Sequence, residues 1–237
     1  MGDFKQAVIL VGGKGKRLKH ETKITPKPLV QISDDKNILD FILDKLISEG
    51  FTDLIFLAGF MGNEIKNYLN HYQPSKKNIR IRCLIEKKPL GTAGCLSLCK
   101  DILDEKFFLL NGDSWFSGEI ANLSFNESST LGKIILKNIE NADRYGSVVM
   151  GKNGKVIAFL EKVHRDRANI NIGIYLLSKE VLSFIPKSKF ISMENEIFPM
   201  LVKRGILEAE TREGKFIDIG TPDSLIYARE NIEFFES

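Results

Sequence analysis

Val8–Leu29 reads VILVGGKGKRLKHETKITPKPL, and this stretch decides the fold. The apolar run Ala7–Val11 predicts a buried strand. It stops at Gly12-Gly13-Lys14-Gly15-Lys16-Arg17, where three glycines let the backbone turn sharply and come close to a ligand. Around and behind that turn the chain gathers Lys14, Lys16, Arg17, Lys19, Lys23 and Lys27. A glycine-rich turn after a strand, followed by clustered cations, suits a polyphosphate. It is not the dinucleotide pattern G-x-G-x-x-G, because Leu18 stands at the third glycine position, nor a P-loop, because Arg17 follows Gly15-Lys16. A plain strand–helix turn with solvated lysines would account for the glycines but not for Pro26-Lys27-Pro28. Two prolines fix φ on both sides of that lysine and restrict the lysine itself, which aims its side chain.

Outward from this loop the chain alternates. Ile38–Glu49 has apolar residues at helical spacing and stops at Gly50. Asp53–Ala58 predicts a strand, Asn63–Asn70 a short helix, Ile79–Ile85 a strand, Thr92–Leu103 an amphipathic helix and Phe107–Leu110 an apolar strand. That rhythm predicts parallel strands with right-handed crossovers. Past Asp113 the strands Leu131–Leu136, Ser147–Met150, Val156–Leu160 and Ile172–Leu177 follow with few helices. Gly151-Lys152-Asn153-Gly154 predicts a hairpin turn. Helices at Lys179–Ile185 and Glu194–Lys203, strands at Leu207–Thr211 and Lys215–Asp218, and a helix from Pro222 to Phe235 complete the series. The expected fold is α/β: a Rossmann-like mixed, mostly parallel central sheet flanked by helices, one domain with a sugar-binding lobe. Residues 1–115 are the expected nucleotide-binding half and 116–237 the sugar-phosphate half, sharing one sheet.

The 237 residues carry 34 Lys and Arg against 31 Asp and Glu, a net charge of +3. That excess is too weak for a nucleic-acid footprint and, concentrated near residues 14–27, favours a small anionic substrate. No apolar run reaches membrane-spanning length. The start MGDFKQ does not read as a secretory signal, and Gln6 stands where a myristoylation motif wants Ser or Thr. Cys83, Cys95 and Cys99 lack metal-type pair spacing and read as reduced thiols, so a cytoplasmic protein is expected.

Ligands of open α/β sheets bind beyond the carboxyl ends of the strands. Three groups fall there: the Gly12–Arg17 loop, Glu86 and Asp113. Asp113, in Asn111-Gly112-Asp113-Ser114 after an apolar strand, is costly to bury without a partner. A hard divalent cation bridging to phosphate would be such a partner; capping a turn through its own backbone is the other reading.

The motifs Gly12-Gly13-x-Gly15-x-Arg17-Leu18, Thr25-Pro26-Lys27-Pro28-Leu29, Glu86-x-x-Pro89-Leu90-Gly91-Thr92-Ala93-Gly94 and Asn111-Gly112-Asp113 together resemble the sugar-1-phosphate nucleotidyltransferases. Asp143-Arg144-Tyr145-Gly146, Glu161-Lys162, Asn171-Ile172-Gly173-Ile174-Tyr175 and Asp218-Ile219-Gly220-Thr221-Pro222 extend the resemblance in order along nearly the whole chain. Within the family, the chain looks most like bacterial D-glycero-D-manno-heptose 1-phosphate guanylyltransferases.

The resemblance implies in-line attack of a sugar 1-phosphate on the α-phosphorus of a nucleoside triphosphate, with loss of pyrophosphate. It implies that Val11, Gly12, Gly13, Gly15, Glu86, Pro89, Leu90, Gly91 and Thr92 line the nucleotide. Arg17 would meet the β- and γ-phosphates, Lys27 the α-phosphate, and Lys162 the sugar phosphate. Gly146, Glu161 and Asn171 would line the sugar, and Asp113 and Asp218 would share a Mg²⁺. No general base is needed, since a phosphate monoester with a second pKa of about 6 is mostly dianionic at neutral pH. Mutual repulsion of the polyanions is the obstacle, and placed cations offset it.

Each residue also has a plainer reading. Lys162 beside Glu161 could form a surface pair, Asp218 could cap the last helix (although Thr221 is better placed), and Asn171 could satisfy backbone groups. Trp115 reads equally as core or as substrate wall. His20, His71 and His164 show no ligand spacing. The loop Val163–Ala168 either closes over the sugar or is solvated. Hexapeptide repeats are absent from the sequence, so no acetyltransferase activity is expected.

Glu86 bears on the base. An ionised carboxylate only accepts hydrogen bonds, and guanine offers two adjacent donors, N1–H and the N2 amine. Thymine and uracil place repelling carbonyls beside their one donor, while adenine and cytosine pair an amine with an acceptor. GTP is therefore the expected donor, although backbone near Leu90–Gly91 also touches the base in this family. Alternatives are a mannose-1-phosphate guanylyltransferase, a glucose-1-phosphate uridylyl- or thymidylyltransferase, and an idle regulatory homologue. Retention of Arg17, Lys27, Asp113 and Asp218 argues against the last. No nucleic-acid or membrane partner is expected, and monomer and homodimer stay open.

Overall fold

The computed structural model describes residues 5–18, 21–140, 142, 145–160 and 166–235. Its elements begin with β1 (Gln6–Leu10), α1 (Ile38–Ser48), β2 (Asp53–Ala58), α2 (Gly62–His71) and β3 (Arg80–Ile85). Then come α3 (Gly91–Gly94), β4 (Lys106–Asn111), β5 (Ser114–Phe116), β6 (Gly132–Glu140), β7 (Ser147–Met150) and β8 (Val156–Leu160). The chain closes through β9 (Arg167–Ser178), α4 (Phe198–Lys203), β10 (Leu207–Thr211), β11 (Phe216–Asp218) and α5 (Pro222–Glu230). It divides into two compact units, one of Met1–Pro89, Leu110–Ala121 and Lys215–Ser237, the other of Leu90–Leu109 and Asn122–Gly214.

In the first unit β1, β2 and β3 run parallel, with Val8 opposite Ile55 and Ile55 opposite Arg82. Helix α1 forms because Asn37 accepts from the Leu39 and Asp40 N–H groups while Asp40 accepts from the Asn37 N–H at 2.9 Å. Its Leu39, Ile42, Leu43, Leu46 and Ile47 are buried, each worth about 1.5–3 kcal/mol. It ends at Gly50, whose φ of +85° a side chain would resist. Thr221 caps α5, with Pro222 in the first turn, as the sequence indicates.

Strand β5 pairs antiparallel with β11 and was not legible in the sequence. Three residues are too few to show a period, and only the distant partner strand defines it. Trp115 is core: it is 4% exposed and packs against Phe234 and Phe235.

In the second unit β6 pairs antiparallel with β9 and parallel with β10. The hairpin β7–β8 turns at residues 151–154, with the Gly154 N–H donating to the Gly151 carbonyl at 3.0 Å. The expected helix Thr92–Leu103 is broken: α3 lasts four residues and gives way to 3₁₀ turns at Cys95–Leu98 and Lys100–Ile102. Ser97 Oγ and Cys99 Sγ donate to the carbonyls three residues back, competing with the α ladder. Likewise Lys179–Phe184 is a 3₁₀ segment, and α4 is entered through one π-type turn at Met193–Ile197. Among the described residues, no helix is long and apolar enough to cross a membrane.

Candidate active site

The first unit gathers its charged groups beyond the end of β1. Val11 is buried, and its N–H donates to the Leu57 carbonyl at 3.0 Å; the chain then turns through Gly12 and the exposed Gly13. Gly15 has φ +60°, and a Cβ there would lie 2.7 Å from Thr22 Cγ2 and 3.3 Å from Lys27 Cβ. The loop is tied back on itself, since Thr22 Oγ1 and the Leu18 N–H both donate to the Gly15 carbonyl, at 3.0 and 2.9 Å. Lys14, Lys16, Arg17 and Lys23 are exposed around it.

Lys27 is different: it is 7% exposed. Pro26 (φ −64°, ψ 143°) delivers it into a 3₁₀ turn, Lys27–Leu29. Its ammonium donates to the Asp113 carboxylate. Asp113 reaches that position because Gly112 lies flat against β1, where a Cβ would stand 2.6 Å from Val11 Cγ1 and 2.8 Å from the Leu10 carbonyl. The β5–β11 ladder sets Asp218 opposite Ser114, and the Ile219 N–H donates to the Asp113 carbonyl at 3.0 Å. Two acids 105 residues apart in sequence thus occupy neighbouring backbone positions (218 − 113). Asp218 Oδ1 accepts from the Gly220 N–H at 2.9 Å, and the Arg17 guanidinium lies against the same glycine.

Glu86 follows β3, and its N–H donates to the Ala58 carbonyl at 2.9 Å. Its carboxylate lies over Gly59, where a Cβ would meet Oε1 at 2.4 Å and the Gly12 carbonyl at 3.1 Å. Gly59 was missed in the sequence; its only signal there is a glycine directly after an apolar strand. Pro89 is exposed. Among the described residues, no group of three or more His, Cys, Asp or Glu side chains that could hold a metal ion comes together.

In the second unit Leu90 is buried, and Gly91 has φ +77°, with the Ile191 carbonyl 2.4 Å from where its Cβ would be. Thr92 Oγ1 donates to Glu194 Oε2 at 2.7 Å and accepts from the Met193 N–H at 2.8 Å. Asn171 Oδ1 accepts from the Gly173 N–H at 2.9 Å, and its amide donates to the Tyr175 hydroxyl at 3.0 Å. Gly173, at φ +78°, sits where the β6–β9 register shifts, so Asn171 satisfies a donor that the irregular ladder would leave unpaired. Gly146 is exposed. Lys19, His20, Asp143, Arg144, Glu161, Lys162, Val163 and His164 lie outside the described residues. Cys83, Cys95 and Cys99 are not joined in disulfides.

The model of the nucleotidyl transferase family matches residues 6–234. A D-glycero-alpha-D-manno-heptose 1-phosphate guanylyltransferase of Campylobacter jejuni is 35% identical over 218 residues, taking in 92% of this chain and 96% of that protein. A mannose-1-phosphate guanyltransferase of Neurospora crassa is 34% identical, but the match spans 93% of this chain and only 62% of that longer protein. Among solved structures, HddC from Yersinia pseudotuberculosis complexed with GMP-PN is 31% identical with a TM-score of 0.83, over 97% of this chain and 100% of that one. The mixed, mostly parallel α/β fold expected from the sequence is the fold this chain shares with its solved relatives.

Proposed function

The chain belongs to the nucleotidyl transferase family, and from that premise we propose that it is a sugar-1-phosphate guanylyltransferase. In this reading GTP and D-glycero-D-manno-heptose 1-phosphate give GDP-heptose and pyrophosphate. The observation that carries it is the grouping in the first unit, where Lys27 meets Asp113 and Arg17 approaches Asp218 beyond the glycine turn. Opposed charges held in that way suit a triphosphate better than they suit a fold.

A sugar-phosphate oxygen attacks the α-phosphorus of GTP as the bond to the β-phosphate breaks, and pyrophosphate departs on the far side. The Gly12–Gly13 backbone lets the nucleotide approach closely, Arg17 binds the β- and γ-phosphates, and Lys27 compensates charge on the α-phosphate. Lys162 orients the attacking phosphate, while Gly146, Glu161 and Asn171 line the sugar. Pro89, Leu90, Gly91 and Thr92 border the base, and Glu86 accepts its two adjacent donors. Two carboxylates plus phosphate oxygens fit the small protein share that Mg²⁺ takes, so Asp113 and Asp218 would hold it. When bound, Mg²⁺ neutralises phosphate charge. Nucleoside triphosphate substrates fit a cytoplasmic site of action.

The test is pyrophosphate release by the purified protein over GTP, ATP, UTP and dTTP against heptose, mannose and glucose 1-phosphates. Turnover confined to GTP with the manno-heptose supports the reading, and preference for mannose 1-phosphate moves it to the activity named for the Neurospora relative. Absence of turnover with every pair would overturn it.

A further inference from the structure

We propose that Gly220 is a positioning residue of the nucleotide site, where its lack of a side chain lets the Arg17 guanidinium settle beside the Asp218 carboxylate. The inference rests on the roles given above to Arg17 and Asp218. A Cβ at position 220 would lie 2.5 Å from Asp218 Oδ1, 2.9 Å from Arg17 Nη2 and 3.4 Å from Arg17 Cζ. The first two separations are below the 3.0 Å that real Cβ atoms keep. The acid and the guanidinium therefore converge on one point, and that point is where an alanine methyl would stand.

The fold supplies no other need for glycine here. Gly220 is absent from the residues with positive φ, so its backbone conformation suits any residue. It precedes the Thr221 cap and lies outside α5, so helix propensity does not bear on it. Gly112 and Gly91 differ, because added side chains there would strike the carbonyls of Leu10 and Ile191. At Gly220 the atoms struck are the far ends of two side chains that can swing aside. A methyl group would thus leave the fold intact and displace the two groups that meet the nucleotide. Meanwhile the Gly220 N–H, donating to Asp218 Oδ1 at 2.9 Å, turns the carboxylate toward that meeting point.

The experiment compares Gly220→Ala with the unchanged protein in thermal melting, equilibrium binding of a non-hydrolysable GTP analogue, and pyrophosphate release. The expected result is an unchanged melting temperature, weaker analogue binding, and a kcat lower by roughly 10–100-fold, the scale of an ångström-sized misplacement. In an Arg17→Ala, Asp218→Ala double background the same substitution should cost less than about threefold, because both side chains it would displace are already gone. Wild-type binding and kcat, a loss that tracks a lowered melting temperature, or the full penalty in the double background would each overturn the inference. The underlying roles fail separately: that outcome is Arg17→Ala and Asp218→Asn both turning over at the wild-type rate.

Discussion

Lys27 and Asp113, 86 positions apart in sequence, form an ion pair in which the lysine is 7% exposed. A lysine so little exposed is costly to bury unless its charge is paired, and Asp113 supplies the pair. Lys27→Met should lower pyrophosphate release by at least about 100-fold, the scale of losing one charge stabiliser of the transition state. The Asp113 side chain is 35% exposed, so the stability cost falls below that of a fully buried pair, at about 1–2 kcal/mol. Urea denaturation measures it, and Lys27→Met/Asp113→Asn should cost less than the two single changes summed.

Two glycines expected at the nucleotide separate fold from function. A Cβ on Gly13 meets nothing within 4 Å, whereas Gly91 combines φ +77° with a carbonyl 2.4 Å away. Gly13→Ala should melt with the wild type and raise KM for GTP. Gly91→Ala should lose about 2–3 kcal/mol of stability through strain and collision. Melting curves beside KM values distinguish the two.

Glu86→Gln keeps the size of the side chain and exchanges one acceptor for a donor. The kcat/KM ratio of GTP to UTP should fall by about 10–100-fold, since one base-reading hydrogen bond to a charged group is worth about 1.5–3 kcal/mol. An unchanged ratio would assign base selection to other groups.

Glu208, wholly buried in the second unit, contributes to stability in acid. Burial by itself would raise its pKa, but hydrogen bonds from Thr130 and the Asn126 N–H, with the charges of Lys155 and Lys133, hold it below the ordinary 4.5. A depressed carboxyl stabilises above its unfolded pKa, and that contribution is lost as pH falls below about 4.5 through the folded value. Glu208→Gln should cost about 1.5–3 kcal/mol at neutral pH, because it removes the charged acceptor of the Thr130 and Asn126 hydrogen bonds, while Lys133 and Lys155 keep Glu210 and Glu127 as partners. It should also flatten the acid limb in denaturation series run from neutral pH down to about pH 3.

Sequence patterning served well where structure is local. Strands Asp53–Ala58, Ser147–Met150, Val156–Leu160 and Leu207–Thr211 have the bounds their apolar runs indicate. It failed at 92–103, where Ser97 and Cys99 hydroxyl and thiol groups take up carbonyls and tertiary contacts at Gly94 tighten the turns. It failed at Ser114–Phe116 too, a strand defined only by pairing with residues 216–218. Of the candidate site, the sequence singled out Lys27, Asp113 and Asp218, and the resemblance implied that the two acids share an ion; the Lys27–Asp113 ion pair was not foreseen. The placing of these groups depends on glycines at 112 and 220, whose close contacts no single sequence displays.

The most direct measurement is Mg²⁺-dependent pyrophosphate release from GTP and sugar 1-phosphate by Asp113→Asn and Asp218→Asn, with folding checked by melting. Each variant should fold and lose at least about 100-fold in rate, since in the proposed reading each removes a carboxylate that would hold the Mg²⁺ offsetting phosphate repulsion. Rates equal to the unchanged protein in both variants would contradict the account.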